Sequence, residues 1–417
     1  MSFCIYGAGI VASSVYTAIK ALYQKEPLFF LVSDLENKGG ISEQSPEGLD
    51  GIPVKSLSAW EEELQNGTSD LAVPEYYLIA TPEIHHAAIM DSLRSLEKVQ
   101  PEDFRMIPIT NEAENKLMDA YYRNLPGHTT VSELLDDGYQ VTNKMNRRFW
   151  PSQGNNVLMH DSLVQVFQAK SHMDKQLNYQ KQGGCSDNQK DCNLKHNESG
   201  QGNTKYLHMD YIYPIQVGGA LTEQTIASLR DDVGDNISVK NRNYCELTAT
   251  YYAWKHSLAA YKGICHYRRM FAIDEEQMQT LLGMGQEWDV ILPYPTVHYP
   301  DISVQHIRYV AESDWNALMR ALQEVAPEYW EAYKEGISAG EHYFHNFNML
   351  IARAEVFDDY CDFLFRVLER TEELATPKGW ERADRFAGYL GENLTTLYFL
   401  KNRDRWKTVY AGKIWLT

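Results

Sequence analysis

The chain has 417 residues, 44% of them hydrophobic and 23% charged, enough apolar material for two or three packed domains and too much for global disorder. Its 57 acidic residues outnumber its 39 basic ones, for a formal net charge of -18. That balance excludes nucleic acid as the main partner, since phosphate backbones require a basic footprint, while a small anion needs only a few local Arg or Lys side chains. No apolar run reaches the roughly 18 residues of a membrane-spanning helix. The amino-terminal stretch lacks a basic leader, so it reads as strand, turn and helix rather than as a signal peptide. The six cysteines (Cys4, Cys185, Cys192, Cys245, Cys265 and Cys361) fit a reducing cytoplasm.

Ser2 to Tyr6 is an apolar strand candidate that enters Gly7-Ala8-Gly9-Ile10-Val11-Ala12, and a helical pattern follows to about Tyr23. Further strands are expected at Leu28–Ser33, Tyr76–Ala80 and Arg105–Pro108, with a helix from about Ile84 to Leu96. Strands alternating with helices predict a Rossmann-like parallel sheet over residues 1–125. Residues 126–160 read as a connector. A strand at Leu163–Ala169 opens the second domain, residues 161–417, and a Gln-, Asn- and Gly-rich stretch at 176–204 is expected to form a mobile loop. Downstream, strands are expected at about 212–217, 262–266, 288–292 and 347–352. Helices are expected at about 222–230, 243–257, 314–334 (with Ser313 as N-cap), 355–374 and 390–400.

The Gly7–Ala12 stretch has the pattern GxGxxA between a strand and a helix. Gly7 and Gly9 permit a tight turn, Ala12 permits close packing, and the helix N-terminus can face a diphosphate; Asp34 sits where a ribose-binding acid is expected. A nucleotide site and a Rossmann-like turn without a ligand both fit. His85 and His86 are adjacent, point in different directions and are expected at the surface.

In the second domain a buried strand ending at Cys265 leads into His266-Tyr267-Arg268-Arg269. Two guanidinium groups at a strand end need solvent, carboxylates or an anion, and an Arg fork suits a diphosphate. The alternative is an intrachain pairing with carboxylates. The Glu341–Met349 loop offers His345 and Asn346 to sugar hydroxyls and Glu341 as an acid or base, or else a polar turn that satisfies its own backbone. Glu392 is expected at the start of the last helix, as a base or as a complement to the helix dipole. Cys185, Cys192 and His196 fit no zinc spacing.

These motifs in order (IYPIQVG at 212–218, GDNIS and KN at 234–241, YCELT at 244–248, CHYRRMF at 265–271, HNFNMLIARAEVFDDYCDFLF at 345–365, and GYLGENL) resemble the bacterial glycosyltransferases of capsule and exopolysaccharide clusters once catalogued as a domain of unknown function. The resemblance covers about residues 160–417. It implies a GT-A-like α/β fold, with a nucleoside-diphosphate sugar, of UDP-sugar type, at the C-terminal ends of the central strands. The acceptor it implies is a glycan or a lipid-linked hydroxyl, reached by peripheral membrane contact from the cytoplasm. It further implies that Arg268 and Arg269 neutralise the leaving diphosphate and that His266 orients them or contacts phosphate. His172, Asp235, Asn236, Lys240, Asn241 and Tyr267 would lie around the donor. His-Tyr-Arg-Arg stands where GT-A enzymes carry Asp-x-Asp, so the need for a divalent metal is left open. An NAD(P)-dependent oxidoreductase built on the Gly7–Ala12 loop and a non-catalytic assembly scaffold are the alternatives.

Overall fold

The computed structural model describes residues 2–33, 50–100, 104–136, 163–174, 209–303, 305–379 and 382–416. Asp34, the 176–204 stretch and most of the 126–160 connector fall outside them, as do Cys185, Cys192 and His196. The protein is mixed α/β, with one all-parallel sheet domain and a second α/β domain. Its compact units are Met1–Pro126 joined by Thr296–Ile302, and Gly127–Pro295 joined by Ser303–Thr417.

The first unit carries five parallel strands: β1 (Phe3–Tyr6), β2 (Phe30–Val32), β3 (Val54–Ser56), β4 (Tyr76–Ile79) and β5 (Arg105–Pro108), in the order β3-β2-β1-β4-β5. The strand residues alternate between two cores. Cys4, Tyr6, Leu31, Tyr77 and Ile79 pack with Trp60 on one face; Phe3, Ile5, Phe30 and Leu78 pack with Val15 and Tyr16 on the other. Burial on both faces follows from helices covering both sides of a parallel sheet. Sequence patterning missed three elements here: β3, the helix Leu57–Asn66 capped by Ser56, and the helix Asn111–Arg123 capped by Thr110. The expected helix from Ile84 is interrupted, with α-helix only over His86–Leu93 between two 3-10 turns. His86 is buried, its Nε2 2.8 Å from the Thr81 carbonyl, contrary to the expected surface position; His85 is exposed. The segment Thr296–Ile302 also belongs to this unit. It lies against helix Ile10–Tyr23, where Ser13 Oγ donates to the Val297 carbonyl at 2.7 Å.

The second unit is built on a mixed sheet. The strands are β6 (Thr129–Thr130), β7 (Val164–Lys170), β8 (Ile212–Gln216), β9 (Leu229–Arg230), β10 (Tyr261–His266), β11 (Arg269–Phe271), β12 (Val290–Pro293), β15 (Leu350–Arg353), β16 (Thr408–Ala411) and β17 (Lys413–Trp415); the short β13 (Thr296–Val297) and β14 (Tyr343–Phe344) lie outside this sheet. The sheet order is β6-β16-β12-β15-β10-β7-β8-β9, with β11 pairing β10 and β17. β10, β7, β8 and β9 run parallel, and β15 is antiparallel to both β10 and β12. Gly263 in β10 admits this close sheet, because a Cβ there would lie 2.8 Å from the Leu350 carbonyl oxygen.

Four expectations in this unit fail. The helix expected at 243–257 is two, Asn241–Tyr244 and Leu247–His256, broken where Cys245 takes φ 51°. Residues 222–230 form no helix; a 3-10 turn at Gly219–Leu221 precedes them and β9 closes the stretch. The expected helix at 314–334 is two helices, Glu312–Val325 and Pro327–Glu335, and Ser313 lies inside the first rather than capping it. Pro327 explains the break, because proline removes the amide a continuous helix needs and fits the first position of a new one. The last helix starts early, at Phe386, so Glu392 lies within it rather than at its start.

Candidate functional site

Because β7, β8 and β10 are parallel, their C-terminal ends collect on one edge of the sheet. That edge brings together Lys170 to Asp174, Gln216 to Gly219 and His266 to Arg269. Ligands of open α/β sheets bind at such an edge. β10 does not simply run out into solvent: His266 pairs with Arg269 across a hairpin whose loop is Tyr267 and Arg268. Arg269 therefore begins the return strand β11, which pairs with β17.

The two guanidinium groups have little to neutralise them. Arg269 is sandwiched between aromatic rings, its Cζ 4.3 Å from the Phe347 centroid and 4.5 Å from that of Trp415. The Nε atoms of Arg268 and Arg269 are both buried without a hydrogen-bond partner, and among the described residues neither side chain forms an ion pair with a carboxylate. Burial first, then the charge of Arg268, pushes the Arg269 guanidinium down to about 10. The charges of Glu392 and Glu246 oppose that shift only in part, and a partly buried guanidinium without an ion-pair partner gains when an anion joins it.

Beneath the arginines lies a carboxylate pair. Glu246 Oε1 accepts a hydrogen bond from Asn348 Nδ2 at 2.6 Å and stands 3.9 Å from His266 Nε2. Glu392 Oε1 accepts from the Phe347 amide at 2.9 Å. Burial, then repulsion from Glu246, pushes Glu392 up to about 8. His266 Nε2 is 2.5 Å from the Phe347 carbonyl, so it carries the proton, and Nδ1 faces Arg269 Nη1 at 3.4 Å as acceptor. That arrangement is the neutral imidazole, in keeping with burial holding His266 below its ordinary value.

The backbone around these groups is strained. Phe347 and Asn348 are consecutive non-glycine residues with φ of 75° and 48°, and Cys245 (51°) and Arg385 (68°) border the same carboxylates. Four of the six described non-glycine residues with positive φ thus gather here. Such strain costs about 1–3 kcal/mol per residue and concentrates where function requires a fixed geometry. Here its product is visible: the turn aims the Phe347 backbone amide at Glu392, its carbonyl at His266, and the Asn348 side-chain Nδ2 at Glu246.

On the β7 side, burial raises Asp174 to about 6, although the Ser171 amide (2.7 Å) and the charges of Arg268, Arg385 and Lys170 oppose it. His172 is partly buried there, with Nδ1 lacking a partner.

Other expected site residues are engaged elsewhere. Lys240 Nζ pairs with Glu372 at 2.6 Å. Asn236 closes its own turn through the Gly234 carbonyl and the Ser238 amide. Asp235 is exposed, accepting from Tyr251 through its side chain and bonding His256 through its carbonyl. Asn241 Nδ2 donates to the Cys245 carbonyl at 2.7 Å and so supports the strained turn from below. Glu341 accepts from the amides of His342 and Tyr343 and caps that loop. His345 is buried and stacked on Tyr410; burial drives it down to about 3. Asn346 is partly exposed beside Phe347. Tyr267 lies under the Arg268 guanidinium, 5.5 Å from ring centroid to Cζ.

Sequence reasoning missed Glu246, Asn348, Asp174, Phe347 and Arg385. Glu246 and Asn348 stand inside motifs already singled out, so their position was legible and their role was not. Among the described residues no three side chains of His, Cys, Asp and Glu converge as metal ligands, no helix is long and apolar enough to cross a membrane, and the four cysteines are free.

Residues 201–403 match a family described as a domain of unknown function, DUF4422. The chain is similar to a solved apo structure of the WbbM bifunctional glycosyltransferase, at 24% identity and a TM-score of 0.47, over 61% of this chain and 45% of that one. The chain thus spans less than half of that protein's length. A search of curated proteins returns no match.

In the first unit, Gly7 and Gly9 have different reasons. Gly7 has φ 123°, and a Cβ there would lie 2.6 Å from the Ala80 carbonyl oxygen, so the turn itself demands glycine. Gly9 caps the helix with nothing within 4 Å of where a Cβ would project. Ala12 is buried against that turn.

Proposed function

We propose that the second unit is a GT-A-like glycosyltransferase, moving a hexosyl group from a nucleoside-diphosphate sugar of UDP type to a hydroxyl of a glycan or lipid-linked acceptor. Its setting is capsule or exopolysaccharide assembly on the cytoplasmic side of the membrane. The observation that carries this reading is the pair of half-buried arginines at the C-terminal edge of β10, whose buried Nε atoms have no hydrogen-bond partner and which form no ion pair with a carboxylate among the described residues, beside a carboxyl group pushed up to about 8.

The acceptor oxygen attacks the anomeric carbon as the bond from that carbon to the diphosphate oxygen breaks. The electron pair leaves with the diphosphate, where Arg268 and Arg269 neutralise it; such preorganised charge is the largest catalytic contribution available to a site of this kind. The acceptor proton passes to Glu392 in its ionised form. Glu246 is held by the Asn348 side-chain amide, and neutral His266 fixes the angle of Arg269. Lys170 and His172 border the nucleotide side. Asp235, Asn236, Lys240, Glu341 and His345 act as supports in this scheme. The arginines supply positive charge of the kind a metal supplies in Asp-x-Asp enzymes.

Arg268→Ala tests it. Turnover should fall by about 100-fold or more, with an unchanged unfolding midpoint; near-normal transfer would remove the central role assigned to the pair. For the first unit, the open space over Gly9 supports a nucleotide site formed by Gly7, Gly9 and Ala12, to which Asp34, outside the described residues, is the sequence-based addition. Parallel fluorescence titrations with NADH and UDP separate that site from the transferase, and tight NADH binding without any UDP binding would favour the oxidoreductase alternative.

A further inference from the structure

The helix Phe386–Lys401 is almost entirely enclosed. From Phe386 to Phe399 every residue is buried except Tyr389 and Glu392. Those two lie three positions apart and so share one face of the helix, and Arg385, four positions before Tyr389, continues the same line. Between Phe386 and Phe399 the accessible positions of this helix therefore show an aromatic ring next to the carboxylate assigned as proton acceptor. The ring does not stand alone. Tyr309 stacks on Tyr389 at 4.9 Å between centroids with an interplanar angle of 18°, and Tyr309 is itself 49% exposed. Arg385 Cζ stands 5.7 Å from the Tyr389 centroid, while its Nε contacts Cys245 Sγ at 3.2 Å and among the described residues it forms no ion pair with a carboxylate.

We propose that Tyr389, Tyr309 and Arg385 form the acceptor subsite, taking a pyranose residue whose axial C–H face lies on the tyrosine pair and whose hydroxyls receive hydrogen bonds from Arg385. The argument rests on the transferase reading and deepens it. A sugar needs a flat apolar surface for its C–H face and donors at its rim, and this cluster presents both. The cluster is also placed correctly for the chemistry. A hydroxyl of a sugar seated on Tyr389 would reach toward Glu392, three positions along the same helix face. Arg385 starts from a left-handed backbone, at φ 68°, and its guanidinium is held by the Cys245 contact beside the Tyr389 ring. Arg385 and Tyr389 would thereby select a ring over a linear alcohol as acceptor.

Saturation-transfer NMR with methyl pyranosides of glucose, galactose, mannose and N-acetylglucosamine, recorded with and without UDP, tests the subsite on the full chain. At least one pyranoside should show saturation of its ring C–H protons. Tyr389→Ala and Tyr309→Ala should each weaken its binding at least tenfold, and Tyr389→Phe, which keeps the ring, should retain it. Tyr309 is half exposed, so its variant should fold even if the Tyr389→Ala variant does not. UDP affinity, followed by calorimetry on the same samples, should stay within twofold. Pyranoside binding unchanged in both alanine variants, or absent from the wild type, would overturn the subsite. Absence of UDP binding alone would instead strike the donor reading, because the sugar signals are read independently of it.

Discussion

Replacing Glu392 by glutamine isolates the least ordinary group in the site. Its carboxyl moves from an ordinary value of 4.5 to about 8 because burial and then Glu246 oppose its ionisation, and the amides and arginines around it compensate only in part. Between pH 4.5 and pH 8 the native chain holds a proton here that the unfolded chain has already released. Stability contributed at this position is therefore complete below the lower value and is lost as pH rises through the upper one. At about 1.4 kcal/mol for each pH unit spanned, the upper limit is about 5 kcal/mol. Glu392 keeps some contact with solvent, which reduces the expected effect to on the order of 2 kcal/mol. Glu392→Gln carries no titrating proton, so it should gain on the wild type by that amount between pH 5 and pH 9. Urea unfolding followed by tryptophan fluorescence at several pH values reads the difference in midpoint, converted with the shared slope. Other titrating groups, Asp174 included, are common to both proteins and cancel. The wild-type transfer rate should rise with pH to a plateau above about 8, and the variant should lose roughly 100-fold in rate along with that limb. A difference in stability that stays constant from pH 5 to pH 9 would refute the assignment of a proton to Glu392.

Two other expectations concern residues that sequence patterning treated alike. Gly7→Ala should destabilise the first unit by about 3 kcal/mol, since positive φ and a backbone oxygen that cannot retreat act together. Gly9→Ala should leave stability within about 0.5 kcal/mol but reduce any nucleotide affinity of that unit; paired thermal melts and titrations distinguish them. Lys240→Met should cost about 2 kcal/mol in urea unfolding, because it strips Glu372 of its charged partner, and it should leave UDP affinity unchanged. A loss of UDP binding without loss of stability would return Lys240 to the donor site.

The sequence alone determined the elements that repeat a local rule. Alternating strands and helices announced the parallel sheet of the first unit, and the strand, Gly7 turn and helix followed from one steric requirement. The acidic balance argued against nucleic acid as the main ligand, and the paired arginines after Cys265 were visible as a chemical anomaly. Local rules also misled: residues 222–230 have helical composition yet form a loop and β9, and the patterning that continues past Pro327 concealed a break. What only the tertiary structure decided is which groups meet. Glu246, His266, Asn348, Arg385 and Glu392 are scattered over 147 positions of the chain, counted inclusively from 246 to 392. They converge because β15 runs antiparallel to β10 and delivers a left-handed turn to the edge where β10 ends. Neither a raised carboxyl nor an unpaired guanidinium can be read from a residue's identity, because each depends on how much water and which charges the fold leaves around it.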